Sequence, residues 1–227
     1  MKGKIVYRFE TPAYPGSIVY INLISNYSCN NDCIFCGRPR KKEDLGKPNI
    51  YEKKANSSLY LKKSPSVEEI MRKLKKEIRP NDQEIAIIGL GEPLIYLPKV
   101  LMLIKNIKKK YPKIIIRVDT NGLVDCMYKN SAEKLKEAGL DQIRISLNAI
   151  NKKEYDDLCQ PKFKDAFKRL IQFIKDSQRL KMATYVSFVI DFQDKKIKSR
   201  KKEDYIKFAI YLGIKKENII LRKYMPI

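Results

Sequence analysis

IVYINLISNYSCNNDCIFCGRPRK, residues 18–41, is the stretch around which the rest of the chain can be read. Its first part, IVYINLI (18–24), is an apolar alternating run that reads as a strand. Directly after it come three of the chain's five cysteines, Cys29, Cys33 and Cys36, separated by three residues and then two. Three thiolates at one strand end can hold an iron–sulfur cluster. A four-iron cluster normally takes four thiolates, so a loop with three leaves one iron open to a ligand that is not protein. An open iron suggests a reagent site, whereas four protein ligands would suggest a site that only carries electrons. Zinc also takes clustered thiolates, but it wants a fourth ligand, and the chain has no histidine. A disulfide framework fits an odd cysteine count in a chain of this length poorly, and plain thiols are the remaining reading.

With 227 residues, 44% hydrophobic and 33% charged, the chain has the composition of a soluble globular protein and the length for one well-filled core. A single domain over 1–227 is expected. No apolar stretch is long enough to span a bilayer, and MKGKIVYRFE lacks the apolar centre of a secretory signal, so a cytoplasmic location and no membrane are expected. Lys plus Arg number 48 against 26 Asp plus Glu, a net charge of +22. Attraction to a polyanion such as RNA or DNA is one reading, and a Lys-rich, merely solvated surface is the other. The absence of histidine excludes a Ser-His-Asp triad, a His general base and a His-ligated metal hydrolase.

Outward from the cysteines, KIVYRFE (4–10) reads as an extra N-terminal strand joined to 18–24 by the turn TPAYPGS; together 1–17 form an N-terminal strand and turn. Residues 37–65 are too long for an ordinary connection and form an insertion, in which LYL (59–61) is a candidate short strand. Thereafter strand and helix alternate. Ser66 and Glu69 form a capping box before a helix with Val67, Ile70, Met71, Leu74 and Ile78 on one face. EIAIIG (84–89) is a strand, and a helix over 97–110 carries the stripe Leu97, Val100, Leu101, Ile104 and Ile107. A strand at 113–122, a helix opened by Asn130 and Glu133, a strand at 142–148 and helices at 152–159 and 163–179 follow. A strand at 183–190, a helix at 203–212 and a last strand at 218–224 complete the pattern. From residue 18 this makes six strands and five crossovers, an α/β chain too short for eight units. A partial (β/α)6 TIM-type barrel over 18–227, with an extra N-terminal strand, is the expected fold.

In such barrels chemistry collects at the carboxyl ends of the strands. GLGEP, Gly89 to Pro93, follows the second strand, where glycines let backbone approach a ligand closely; a tight turn with Glu92 capping the next helix is the alternative. The third strand ends in Asp119-Thr120-Asn121-Gly122, and Asn-Gly is also an ordinary turn dipeptide. The fourth places Arg144, Ser146 and Asn148 on one face, assigned to the lumen because Ile143, Ile145 and Leu147 claim the helix layer. Arg222 and Tyr224 fall on the same side of the last strand by alternation, without a role that the sequence supplies.

The cysteine spacing, with Phe35 just before the third cysteine, resembles the signature of the radical S-adenosylmethionine (SAM) enzymes. GLGEP is similar to that family's Gly-Gly-Glu-Pro type motif, with Leu90 standing between the two glycines, and Thr120-Asn121-Gly122 is similar to a run lining its SAM pocket. RISLNAINKKEYDDLCQPKFKDAFKRLIQFI (144–174) closely resembles a segment of the TatD-associated radical SAM proteins. The resemblance implies a [4Fe-4S] cluster on Cys29, Cys33 and Cys36 whose open iron chelates SAM. It implies a pocket built from Phe35, Gly89, Gly91, Glu92, Pro93, Thr120, Asn121, Ser146 and Asn148. It further implies reductive cleavage of SAM to methionine and a 5′-deoxyadenosyl radical that abstracts hydrogen from a substrate, with a ferredoxin- or flavodoxin-like reductant. Cys126 and Cys159 are expected to be buried structural thiols, with a radical-stage partner or ligand as the alternative. The substrate expectation is RNA, gripped by RPRKK (38–42) and KKIKSRKK (195–202), against a small nucleotide or a peptide. A non-catalytic, basic nucleic-acid-binding module with a structural metal site is the reading from a different functional class.

Overall fold

The computed structural model describes residues 3–8, 10–11, 14–15, 18–39, 41–45, 47, 58–192 and 200–224. The central sheet has seven strands: β1 (Val6–Tyr7), β4 (Ile18–Ile21), β5 (Glu84–Ile87), β6 (Ile115–Thr120), β7 (Gln142–Ser146), β8 (Ala183–Ile190) and β9 (Ile219–Lys223), in the order β1-β4-β5-β6-β7-β8-β9. Two further strands, β2 (Glu10–Thr11) and β3 (Tyr14–Pro15), pair with each other from the last residue of the expected strand 4–10 into the expected TPAYPGS turn. β1 runs antiparallel to β4, while β4 with β5, β5 with β6, β7 with β8 and β8 with β9 are parallel. The helices are α1 (Val67–Glu77), α2 (Leu97–Lys110), α3 (Ser131–Ala138), α4 (Lys152–Cys159), α5 (Ala166–Arg179) and α6 (Lys202–Tyr211). Parallel strands linked through helices give the expected α/β partial barrel with its extra N-terminal strand.

The chain divides into two compact units. The first holds Met1–Cys29, Gly37–Asp119 and Lys134–Asp141; the second holds Asn30–Cys36, Thr120–Glu133 and Gln142–Ile227. In the first, Val19, Ile85 and Ile116 stand in one row across β4, β5 and β6, and Ile21, Ile87 and Val118 in the next. All six are buried, as are Val67, Ile70 and Leu74 of α1 and Val100, Leu103, Ile104 and Ile107 of α2. The α2 stripe thus includes Leu103, with the expected Leu101 only half-buried. The opposite sheet face carries Tyr20, Ala86 and Arg117 in register. Tyr7 stacks on Tyr20 with ring centres 5.4 Å apart, and Arg117 is held by Glu84 at 2.7 Å and by Asp119.

Several expected boundaries shift for local reasons. The strand expected over 18–24 stops at Ile21 because Asn22 turns the chain: its Oδ1 accepts Ile24 N–H at 3.0 Å and its Nδ2 donates to Leu59 C=O at 2.7 Å. The strand expected over 113–122 spans 115–120, since Thr120 Oγ1 accepts Gly122 N–H at 3.0 Å and Gly122 turns at φ +76°. α5 begins at Ala166 rather than 163 because Asp165 sits at φ +54°, outside the helical region. LYL forms no strand; Leu61 makes an isolated bridge with Ser25, and Ser58, just before the run, makes one with Gly3.

A buried clasp ties the N-terminal segment to the α1–β5 connection. Arg8 donates to both carboxylate oxygens of Asp82, at 2.6 and 2.5 Å, and to Glu77 C=O at 2.5 Å, while Asp82 also accepts Arg79 N–H at 2.6 Å. Burial pushes the Asp82 carboxyl up, but the Arg8 fork and the Arg79 amide outweigh it and hold the group below the usual carboxylate range. A depressed folded pKa stabilises the fold above the unfolded value near ~3.9, and that contribution is lost as pH falls through the folded pKa. Asp82→Ala should lower stability by about 3 kcal/mol, the typical cost of stranding one partner of a buried pair. It should also flatten the acid limb of stability against pH, read by denaturant unfolding between pH 7 and 2. An unchanged unfolding midpoint at pH 7 would show that the clasp is not a stabilising contact.

Candidate radical and cofactor site

In the first unit the approach to Cys29 is a tight backbone construction. Asn26 and Tyr27 both adopt left-handed backbone, at φ 49° and 50°, and Ser28 closes the turn by bonding Ser25 C=O through its N–H at 2.9 Å and its hydroxyl at 2.7 Å. Tyr27 is buried against Tyr60, ring centres 5.4 Å apart. The GLGEP turn is fastened to this segment. Glu92 N–H donates to Ser28 C=O at 2.9 Å. A methyl on Gly89 would come within 2.5 Å of Asn22 Oδ1, and one on Gly91, at φ +137°, within 2.6 Å of Ser28 C=O. Both glycines are therefore demanded by the close approach of this turn to the end of β4. Glu92 is buried and accepts Leu94 N–H at 2.9 Å, capping the 3₁₀ turn Pro93–Tyr96, so the capping reading of this residue is realised.

In the second unit the middle of the cysteine loop is docked along the end of α4. Asp32 N–H donates to Cys159 C=O at 3.0 Å, Ile34 N–H to Leu158 C=O at 3.0 Å, and Lys162 N–H returns to Asn30 C=O at 2.9 Å. Carbonyls at a helix C-terminus lack intrahelical partners, and here the loop amides supply them. Asn31 is buried and donates to Tyr155 Oη at 3.1 Å; Asn121 donates to the Asn30 side chain. Cys33 and Cys36 bracket a turn closed by Cys36 N–H to Cys33 C=O at 3.0 Å. Phe35 packs on Phe192 at 5.7 Å between ring centres, and Phe192 packs on Tyr224 at 5.5 Å.

The remaining expected residues are shaped by local bonds. Asn121 Oδ1 accepts Leu123 N–H at 3.0 Å. Ser146 is half-buried on β7 directly beside Ser187. Asn148 is left-handed at φ +59°, accepts Val189 N–H at 3.2 Å, and places its amide 3.8 Å from Cys159 Sγ. Cys159 is fully buried, and burial pushes the half-buried Cys126 thiol up, with Arg169 opposing and Asp125 adding to the shift. Among the described residues no group of three or more Cys, Asp or Glu converges as a metal-ion site, and Cys29, Cys33 and Cys36 are three half-exposed thiols on one loop, none in a disulfide. The docking residues Asn30, Asn31 and Tyr155 were not expected from the sequence; the two amide side chains set between cysteines are the one local signal that could have drawn attention to them.

The Radical SAM superfamily model matches residues 23–198. This protein belongs to the radical SAM superfamily. Enzymes of this superfamily use a [4Fe-4S] cluster and SAM. A probable GTP 3′,8-cyclase of Methanococcus vannielii is 31% identical over 132 residues, covering 57% of this chain and 36% of that protein. The corresponding Methanocaldococcus jannaschii protein is 33% identical over 147 residues, covering 65% of this chain and 41% of its own length. This radical SAM chain thus spans well under half the length of these curated relatives. Among solved structures, anSMEcpe with bound AdoMet superposes with a TM-score of 0.62 at 16% identity, over 92% of this chain and 51% of that one. Streptococcus suis SuiB bound to SAM gives a TM-score of 0.59 at 19% identity, over 92% and 39%. At these identities the structures establish the shared partial barrel.

Gly91→Ala should force apart the Ser28–Glu92 contact, since its methyl meets a backbone carbonyl and its φ is one that L-residues rarely adopt. A loss of about 1–3 kcal/mol is expected, as for other strained backbone positions, read as a lower thermal unfolding midpoint of the metal-free protein. A midpoint equal to that of the wild type would mean the turn does not need glycine there.

Proposed function

We propose that this protein is a radical SAM enzyme in which Cys29, Cys33 and Cys36 ligate a [4Fe-4S] cluster and the fourth iron binds SAM. The observation that carries this is the donor set: three thiols following the first barrel strand, each half-exposed and none in a disulfide, in a chain without histidine. When bound, the cluster supplies one electron that splits the SAM sulfonium into methionine and a 5′-deoxyadenosyl radical, which takes a hydrogen atom from substrate. The chain's own part is to present and exclude. The docked loop holds Cys33 and Cys36 in a fixed turn, and ligand binding by the metal gathers the thiols. Backbone of the Gly89–Pro93 turn meets the methionyl end of SAM, with Phe35, Thr120, Asn121, Ser146 and Asn148 lining the remainder of the pocket. An external ferredoxin- or flavodoxin-like reductant supplies the electron, in the cytoplasm, and the whole chain acts as one radical SAM domain. The likeness of 144–174 supports kinship with the TatD-associated group. Among the described residues no helix is long and apolar enough to cross a membrane.

The proposed substrate is RNA, supported by the net charge of +22. The basic run 195–202 falls mainly outside the described residues, and within it Arg200 is engaged with Glu154 at 2.6 Å; in RPRKK, Arg40 is likewise outside them. A small nucleotide is the second reading, favoured by relatives named for a GTP cyclase.

Anaerobic reconstitution with iron and sulfide should give a brown protein that cleaves SAM with dithionite. Cys33→Ala should abolish cleavage while the unfolding midpoint of the metal-free protein stays put. A colourless protein keeping stoichiometric zinc would sink the cluster assignment, and collapse of the fold in Cys33→Ala together with nucleic-acid binding would favour the non-catalytic module. Binding to tRNA should be strongest at low salt and weaken steeply as salt rises; no binding at low salt would remove RNA as substrate.

A further inference from the structure

The loop between Cys29 and Cys33 carries two adjacent amide side chains, Asn30 and Asn31, and both residues are buried, at 4% and 2% exposure. Asn31 gives its amide to Tyr155 Oη at 3.1 Å. Asn30 is held differently. Its backbone C=O accepts Lys162 N–H at 2.9 Å, and its Oδ1 accepts from Asn121 Nδ2. Its own Nδ2 is buried and, among the described residues, has no acceptor.

The direction of that amide is fixed by its neighbours. A backbone N–H can only donate, so the Asn121 atom that Leu123 N–H meets at 3.0 Å is the side-chain oxygen. Asn121 therefore turns its NH2 group to Asn30, and Asn30 answers with its own oxygen. The NH2 of Asn30 is left on the other corner of the amide with nothing to receive it. A buried amide in this position has given up its bonds to water and gained none in exchange. Such orphans are rare in folded proteins, and one whose orientation is set marks a place kept for an acceptor that the chain does not supply. Asn30 stands directly after Cys29 and shares the docked loop with Cys33 and Cys36. Sulfide and thiolate are acceptors without a hydrogen of their own, and their negative charge strengthens a bond from a donor cut off from water.

We propose that Asn30 donates an N–H bond from Nδ2 to a sulfur of the iron–sulfur cluster, with Asn121 as the positioning residue that sets the direction of the amide. The assignment rests on the radical SAM reading above and deepens it by naming a side chain that sets the cluster's potential. Reduction adds one negative charge to the cluster, so the bond is stronger in the reduced state. Asn30 thus raises the reduction potential.

The test uses the anaerobically reconstituted full chain without SAM, poised at graded potentials and followed by electron paramagnetic resonance. Asn30→Ala should make the cluster about tenfold harder to reduce, a fall of ~59 mV for one electron. Asn121→Ala should shift the potential the same way by a smaller amount. Tyr155→Phe takes from Asn31 the hydroxyl that anchors the same loop and leaves Asn30 untouched; it should change the reduction equilibrium less than twofold. An unchanged potential in Asn30→Ala, or an equal fall in Tyr155→Phe, overturns the proposal. Unchanged potential together with tenfold weaker SAM binding in Asn30→Ala also overturns it, by moving the acceptor from the cluster to SAM. Where Asn30→Ala takes up no iron, the wild-type protein carries the test. With asparagine isotopically labelled at its side-chain amide nitrogen, a hyperfine coupling of that nitrogen to the reduced cluster is expected, and its absence overturns the assignment. A wild-type chain that takes up no cluster defeats the radical SAM reading and this assignment with it, whereas a cluster whose potential ignores residue 30 defeats the assignment alone.

Discussion

One hydrogen bond organises the approach to the cysteines: the N–H of Glu92 on the carbonyl of Ser28, at 2.9 Å. Residue 28 is the last before the first thiol, and residue 92 closes the turn after the next strand, so the contact fastens two strand ends at the chain position where chemistry starts. It accounts for much of the local sequence. Gly91 is there because any side chain would strike that same carbonyl, and Gly89 because Asn22 already fills the space beside it. Asn22 in turn ends β4 by capping its own backbone. Glu92 then uses its carboxylate on Leu94 N–H and starts the turn into α2. A motif that resembles a ligand-binding signature is at the same time a packing solution, and the two demands fall on the same residues.

The layout of the fold was legible because period-two and period-3.6 patterns alternate cleanly from residue 84 onward; β8 and α4 span the expected residues. What misled was local. Asn22, Thr120 and Asp165 each end or delay an element through a side-chain bond or a left-handed backbone that hydropathy does not register. The turn at GLGEP and the common loop of the three cysteines follow from spacing and glycine content, which the sequence displays directly. The docking of Asn30, Asn31 and Ile34 on residues 155–162 could not, because it joins positions more than a hundred residues apart, mostly through backbone groups that every sequence possesses and in one case through the side chains of Asn31 and Tyr155.

The arginines on the sheet strands differ in the partners they meet. In the first unit Arg117 sits between Glu84 and Asp119, its charge balanced inside the protein. In the second, Arg144 and Arg222 meet a ring and a hydroxyl on strands without a carboxylate.

The carbonyls at the end of α4 have one more effect. They hold the amide hydrogens of Asp32 and Ile34, as Cys33 holds that of Cys36. Hydrogen bonds to the sulfurs of an iron–sulfur core are among the factors that set its reduction potential. Were a cluster held by this loop, those three amides would already be engaged and not offered to its sulfurs, two of them because of a helix terminus that itself contributes no ligand.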